Sequence, residues 1–167
     1  MGSLGHFFHE SDSLSTKLGL ASASYELVAA IPTVVEYFGE TVEKRREVWG
    51  AIAEHEERLQ QLLLDNLNGR DGVTVYGHTN AVKEKRVPVV SFSVEGWNSK
   101  DLVERVEARS RVGFRWGHFY SKRLVDEVLG LGEIGGVVRL SLVHYNTEEE
   151  VKEFLDDLGA VLDSNGR

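Results

Sequence analysis

Arg139 is the side chain in this sequence whose surroundings most clearly require a chemical partner. It lies near the middle of an apolar run, residues 137–143. A guanidinium in such a strand is costly unless it meets a carboxylate or a phosphate, and its planar fork matches a carboxylate bidentately. The pattern therefore predicts an arginine that a strand displays toward an anion. The alternative is a structural ion pair with one of the 27 acidic residues.

Histidines are the other candidates for chemistry. His118 lies in a loop beside aromatic residues, and histidine is the usual residue for proton transfer near neutral pH, so it is a candidate proton shuttle. The alternative is a hydrogen-bonded histidine that only packs against its neighbours. His6 and His9 have the spacing of two ligands on one helical turn, but no third ligand follows nearby, so we predict no metal site.

The elements around Arg139 can be predicted from periodicity and capping. Thr147 and Glu150 have the spacing of a capping box, which predicts that a helix opens directly after the strand of Arg139. Ser99 is a plausible cap for another helix, and Pro32 is expected to kink the first helix or to begin a second one. Helices are expected over residues 22–38, 41–67, 99–108, 122–128 and 148–162, and strands over residues 73–75, 87–94, 114–116 and 137–143.

This order of elements sets the expected fold class. The sequence predicts an α/β (α+β) fold, with long N-terminal helices followed by a small, mostly antiparallel sheet that carries helices on one face. No repeat or low-complexity tract interrupts the chain.

Composition excludes several classes of function. A chain of 167 residues with 41% hydrophobic and 28% charged residues is ordinary for a globular protein. The net charge of -8 argues against nucleic-acid and anionic-membrane partners. The absence of cysteine excludes disulfides, a thiolate nucleophile and a Cys-ligated zinc. With no signal peptide or membrane-spanning run in the sequence, we expect a cytoplasmic protein.

Three segments in order carry a resemblance to a known family. They are the strand V-P-V-V-S-F-S-V-E-G, a loop of the form R-x-G-H, and the segment V-R-x-S-x-x-x-Y-N-T-x-x-E. Together they resemble the C-terminal part of class V aminotransferases and cysteine desulfurase-like enzymes, which are pyridoxal phosphate (PLP) enzymes of fold type I. The resemblance implies an irregular N-terminal segment left from a large domain (1–20), linking long helices (21–69) and a small α/β domain (70–167).

The resemblance also implies roles for individual residues. Arg139 matches the arginine that binds the substrate α-carboxylate. Arg115 and His118 lie in the loop that carries the persulfide cysteine in desulfurases, and Tyr120 occupies that cysteine's position, so persulfide chemistry is excluded here. Ser22 falls where the family often has a loop that reaches the PLP phosphate of the neighbouring subunit, although the Gly and Pro of that loop are missing. The alternative is that Ser22 only caps a helix.

The family's Schiff-base lysine lies in the preceding large domain. Lys17 does not have its sequence context, so by resemblance we expect a truncated chain that begins downstream of that lysine and does not hold PLP alone. The leading hypothesis is the small domain of a PLP-dependent enzyme for a small carboxylate or amino-acid-like substrate, working as a homo-oligomer or with a partner subunit. Two alternatives stay open: a non-catalytic carboxylate-binding or regulatory partner of a full-length homologue, and a repurposed cofactor-free enzyme whose pocket holds Arg115, His118, Tyr120 and Arg139.

Overall fold

The computed structural model describes residues 24–164. The chain divides into two compact units, Met1–Trp49 and Gly50–Arg167. Ser22, and with it the predicted contact to a cofactor phosphate, lies outside the described residues. His6, His9 and Lys17 lie outside them as well.

The first unit contains helix α1, Tyr25–Phe38, and the start of helix α2, Val42–Asn68. The Ser24 hydroxyl caps α1 by accepting the Leu27 amide at 3.4 Å, and Gly39 ends the helix with a φ of 106° that favours glycine. The helix continues through Pro32, so the predicted alternative of a second helix beginning there is wrong. A proline removes only one backbone hydrogen bond of a helix, and the helix remains capped at Ser24.

Aromatic stacking joins the two helices of the first unit. The ring of Phe38 stacks on that of Trp49 with centroids 4.6 Å apart and an interplanar angle of 4°. The Thr41 hydroxyl caps α2 by accepting the Lys44 amide at 3.1 Å, and Arg45 donates to the Gly39 carbonyl at 3.0 Å. These contacts fix the turn between α1 and α2.

The second unit is built on a four-stranded sheet. Its strands are β1 (Val73–Tyr76), β2 (Val89–Val94), β3 (Arg115–Gly117) and β4 (Val137–Ser141). They lie in the order β1-β2-β4-β3, and every neighbouring pair is antiparallel. The prediction of a small antiparallel sheet after long helices is therefore confirmed.

Helices cover one face of this sheet. Besides the later turns of α2, these are α3 (Ser99–Glu107) and α4 (Glu148–Ser164). Alternate residues of the two central strands point into the helical layer, where the fully buried members of the core include Val90, Phe92, Val138, Leu59, Leu63, Leu102 and Leu158. The opposite face of the sheet carries Arg139.

Two local predictions differ from the structure. The residue that caps α3 is Asn98, whose side chain accepts the Lys100 amide at 3.0 Å, and Ser99 instead donates from its buried hydroxyl to the Gly136 carbonyl at 2.7 Å. The short helix after β3 contains a π-helical turn, Leu124–Val128. Across residues 24–164, no helix combines the length and the apolar character that a membrane span requires.

Candidate functional site

A row of residues in register crosses the open face of the sheet at Arg139. On one side Arg139 lies opposite Ser91 of β2, and Ser91 lies opposite Tyr76 of β1. On the other side Arg139 lies opposite Arg115 of β3. Residues directly opposite in an antiparallel pair share a face, so β4 displays its arginine between a serine and a second arginine.

The guanidinium of Arg139 has no anionic partner within residues 24–164. Its Nε atom is buried and makes no hydrogen bond, and no described carboxylate lies within ion-pair distance. The aromatic ring of Phe119 lies over the guanidinium, with 4.0 Å between Cζ and the ring centroid. A buried nitrogen left without an acceptor is costly. An acceptor from outside residues 24–164 would remove that cost.

A tight turn after β3 brings Phe119 over Arg139. Phe119 and Tyr120 have φ angles of 47° and 62°, and the Ser121 amide donates to the His118 carbonyl at 2.7 Å. Positive φ at both central residues is the pattern of a type I′ turn. It costs a residue other than glycine about 1–2 kcal/mol. The surrounding structure must therefore hold the turn in place.

Two glycines allow the end of β3 and the start of β4 to approach each other closely. Gly136, with a φ of 89°, approaches Gly117 so closely that a Cβ on Gly136 would lie 2.5 Å from the Gly117 carbonyl oxygen. Gly117 also pairs with Val137, the residue after Gly136, and this pair is the last of the β3–β4 ladder. A side chain at position 136 would therefore push the end of β3, and the turn that follows it, away from β4.

Arg115 already has partners of its own. Its Nη1 donates to the Phe114 carbonyl at 2.8 Å and pairs with Glu107 Oε1 at 3.3 Å, while 66% of the side chain is exposed. Arg115 and Arg139 thus lie in the same row of the sheet, but only Arg115 has an ion pair among the described residues. His118 is exposed, and Tyr120 is fully exposed at the tip of the turn.

Hydrogen bonds within the turn after β4, from α2 and from the start of α4 hold this turn in place. Asn146 Oδ1 accepts the Val143 amide at 2.9 Å, and the Asn146 carbonyl lies 2.8 Å from His55 Nε2 of α2. The capping box is formed in both directions, because the Glu150 amide donates to the Thr147 hydroxyl at 3.1 Å and the Thr147 amide donates to Glu150 Oε2 at 2.9 Å. Hydrogen bonds from the Thr147 amide and from Asn146 lower the pKa of Glu150 below its ordinary value.

A separate cavity of about 230 Å³ lies between β4 and α4. Apolar side chains such as Leu142 and Phe154 form its lining together with Arg111, Asn146 and Glu150. The arginine row is on the other face of the sheet, so this cavity does not bring the predicted site residues together. Within residues 24–164 no three His, Asp or Glu side chains converge as metal ligands would.

The cofactor that the resemblance implies can be tested against the residues present. PLP needs a lysine amine that is shielded well enough to form and keep an imine. Every lysine within residues 24–164 is exposed, and several are in surface ion pairs, such as Lys44 with Glu47 and Lys122 with Asp126. None of the lysines within residues 24–164 is therefore suited to the covalent attachment of PLP.

Sequence reasoning missed two residues of this site. The sequence shows Phe119 only as an aromatic neighbour of His118, because nothing in it indicates that the turn folds back on β4. Nothing in the sequence indicates that His55 of α2 contacts the Asn146 carbonyl, because the two residues are 91 positions apart. Contacts over such a distance leave no local signal.

Comparison with known proteins agrees with the resemblance. The family model described as aminotransferase class-V matches residues 33–154. The aminotransferase-like protein FGM3 of Gibberella zeae is 54% identical to this chain over 97% of the chain and 39% of its own length. The cysteine desulfurase-like protein ustD of Aspergillus flavus is 36% identical over 97% of the chain and 36% of its own length.

Solved structures share the fold. The cysteine desulfurase CsdA of Escherichia coli superposes with a TM-score of 0.67 at 19% identity, over 89% of this chain and 33% of its own. The cysteine desulfurase of Thermococcus onnurineus gives a TM-score of 0.61 at 28% identity, over 72% of this chain and 29% of its own. This chain thus spans well under half the length of these proteins. On the family match and the 54% identical relative, it belongs to the class-V aminotransferase family.

Proposed function

We propose that this chain supplies the small domain of a PLP-dependent class-V enzyme, in which Arg139 binds the α-carboxylate of an amino-acid-like substrate. The observation that carries the proposal is the buried Nε of Arg139, which lacks an acceptor among the described residues. The family depends on PLP, whereas no lysine among residues 24–164 is suited to holding it. The proposal therefore assigns the covalent cofactor site to residues outside this range and gives this chain the task of orienting the substrate.

The energetics of Arg139 support a weak but specific site. Charge-assisted hydrogen bonds contribute roughly 1.5–3 kcal/mol each, and a bidentate pair makes two of them. Loss of translational and rotational freedom opposes this gain by roughly 4 kcal/mol or more. The net gain is thus about 2 kcal/mol at most, and a small carboxylate bound by this fork alone is expected with a Kd of about 30 mM or weaker.

The test is a titration of the chain with L-alanine, followed by backbone amide NMR, and compared with L-alaninamide, in which an uncharged amide replaces the carboxylate. Binding of L-alanine should shift signals of β4 and of the turn after β3, and L-alaninamide should not. Arg139→Gln should remove the effect. The matched control is Arg123→Gln, because Arg123 has a 90% exposed side chain and pairs only with Glu127 at 3.6 Å among the described residues. Equal binding by wild type and Arg139→Gln would rule out the proposed role.

A non-catalytic carboxylate-binding role is the second candidate, and one observation favours it. His118 and Tyr120 are exposed to solvent, where water screens charges and weakens acid–base catalysis. This candidate predicts carboxylate binding without turnover, even when a full-length homologue is added. The cofactor-free enzyme that uses Arg115, His118, Tyr120 and Arg139 stays a prediction, as does the cytoplasmic location.

We also infer that the chain works with a second subunit. Helix α1 has no buried residue, and large apolar side chains along it are exposed: Tyr25, Leu27, Val28, Ile31, Val34 and Val35. Apolar surface of this extent is typical of an interface. Light scattering behind a sizing column should give a mass above the 18.7 kDa of one chain, and a strictly monomeric species would contradict the inference.

A further inference from the structure

The ring of Phe119 covers one face of the Arg139 guanidinium. The distance from Cζ to the ring centroid is 4.0 Å, which is a close cation–π contact. Both side chains are half-buried, and the Nε of Arg139 is out of reach of solvent. Within residues 24–164, Phe119 alone makes an aromatic or polar contact to this guanidinium.

The position of the ring is built into the backbone. Phe119 occupies a left-handed conformation at a cost, in a turn closed by the hydrogen bond from the Ser121 amide to the His118 carbonyl. The close approach of Gly117 and Gly136 brings that turn against β4. Energetically unfavourable backbone of this kind persists only where the surroundings determine it, and it is concentrated at ligand clamps.

An aromatic ring and a carboxylate can bind the same guanidinium at once. The ring lies over the flat face, whereas a carboxylate approaches in the plane, where the N–H donors point. A ring on the face removes water and limits the rotamers of the side chain, so less entropy is lost when the carboxylate arrives. It also lowers the local dielectric, which strengthens the charged pair.

We propose that Phe119 is a positioning residue for the carboxylate site. Its ring holds the Arg139 guanidinium in the orientation that accepts the ligand. The inference rests on the proposed function of Arg139. It predicts that affinity for a small carboxylate depends on the aromatic ring at position 119, and not merely on an apolar side chain there.

The experiment compares the whole chain with three substitutions, Phe119→Leu, Phe119→Tyr and Trp97→Leu. Phe119→Leu removes the ring, and Phe119→Tyr restores one. Trp97→Leu is the matched control, because it removes another cation–π contact, that of Arg105 at 5.2 Å from the Trp97 centroid. Two quantities are measured: the Nε–H resonance of Arg139 without ligand, which reports the ring over it, and the Kd for L-alanine.

Phe119→Leu should shift the Arg139 Nε–H resonance and weaken L-alanine binding by about threefold to tenfold. Phe119→Tyr should keep both near wild type, and Trp97→Leu should change neither. If Phe119→Leu binds L-alanine like wild type while Arg139→Gln does not, the inference is overturned and the proposed function stands. Equal losses in Phe119→Leu and Phe119→Tyr would also overturn it. If wild type binds no L-alanine, the proposed function fails first, and this inference fails with it.

Discussion

Replacing Gly136 with alanine tests the close approach of Gly136 to Gly117, which brings the turn after β3 over Arg139. The new Cβ would lie 2.5 Å from the Gly117 carbonyl oxygen and 2.6 Å from its carbon. Ordinary contact begins at 3.4 Å, so the end of β3 must move by about 0.9 Å (3.4 − 2.5). Because both partners are backbone atoms, no flexible side chain can absorb this shift.

Two costs contribute to the expected loss of stability. Alanine at a φ of 89° is strained by about 1–2 kcal/mol. Separation of the Gly117–Val137 pair weakens about one backbone hydrogen bond, for about 1 kcal/mol. We therefore expect Gly136→Ala to lower the free energy of unfolding by about 2–3 kcal/mol, measured by urea denaturation followed by circular dichroism.

Gly50→Ala is the matched control, and it should raise the free energy of unfolding instead of lowering it. Gly50 lies within α2, and a Cβ there would meet no atom within 4 Å. Alanine is favoured over glycine inside a helix, so this change should stabilise by about 0.5–1 kcal/mol. If Gly136→Ala left the urea midpoint and the Arg139 Nε–H resonance unchanged, the close approach of Gly136 to Gly117 would not be what seats the turn, and the reasoning would be refuted.

Further predictions concern the start of α4. Thr147→Ala should lower the free energy of unfolding by about 1 kcal/mol, because the Glu150 amide loses its cap, and Thr147→Ser should restore most of it; no difference in urea midpoint would contradict the capping role. Stability should also depend on the ionisation of Glu150. Its folded-state pKa lies below the unfolded value, so its stabilising effect is complete above about pH 4.3 and is lost as pH falls through the folded-state pKa. The difference in urea midpoint between wild type and Glu150→Gln should therefore shrink toward acid; a constant difference would show that charge plays no part.

Local patterns sufficed for most of the fold. The capping box at Thr147 and Glu150 is a signal four residues long, and it forms as expected. Alternation of apolar residues located β2 and β4, although the strands are shorter than predicted, Val89–Val94 and Val137–Ser141. The reason is that apolar residues continue beyond the ladder, and hydrophobicity does not mark where backbone pairing stops.

The site is harder to predict because it depends on contacts between residues that are far apart in the sequence. Arg139 stands out in the sequence as one charge in an apolar run, and in the structure that charge has no ion pair within residues 24–164. The register that pairs Arg115 with Arg139, and the salt bridge that engages only Arg115, depend on how β3 returns to β4. The seating of Phe119 also depends on a turn whose two central residues are unfavourable there, so propensity argues against it.

A crystal structure of the chain with L-alanine bound would test the central claim most directly. The account predicts both carboxylate oxygens within hydrogen-bond distance of the Arg139 guanidinium, in its plane, with the ring of Phe119 still on its face. A carboxylate bound elsewhere, or an Arg139 already paired with an acidic residue of the same chain, would contradict it.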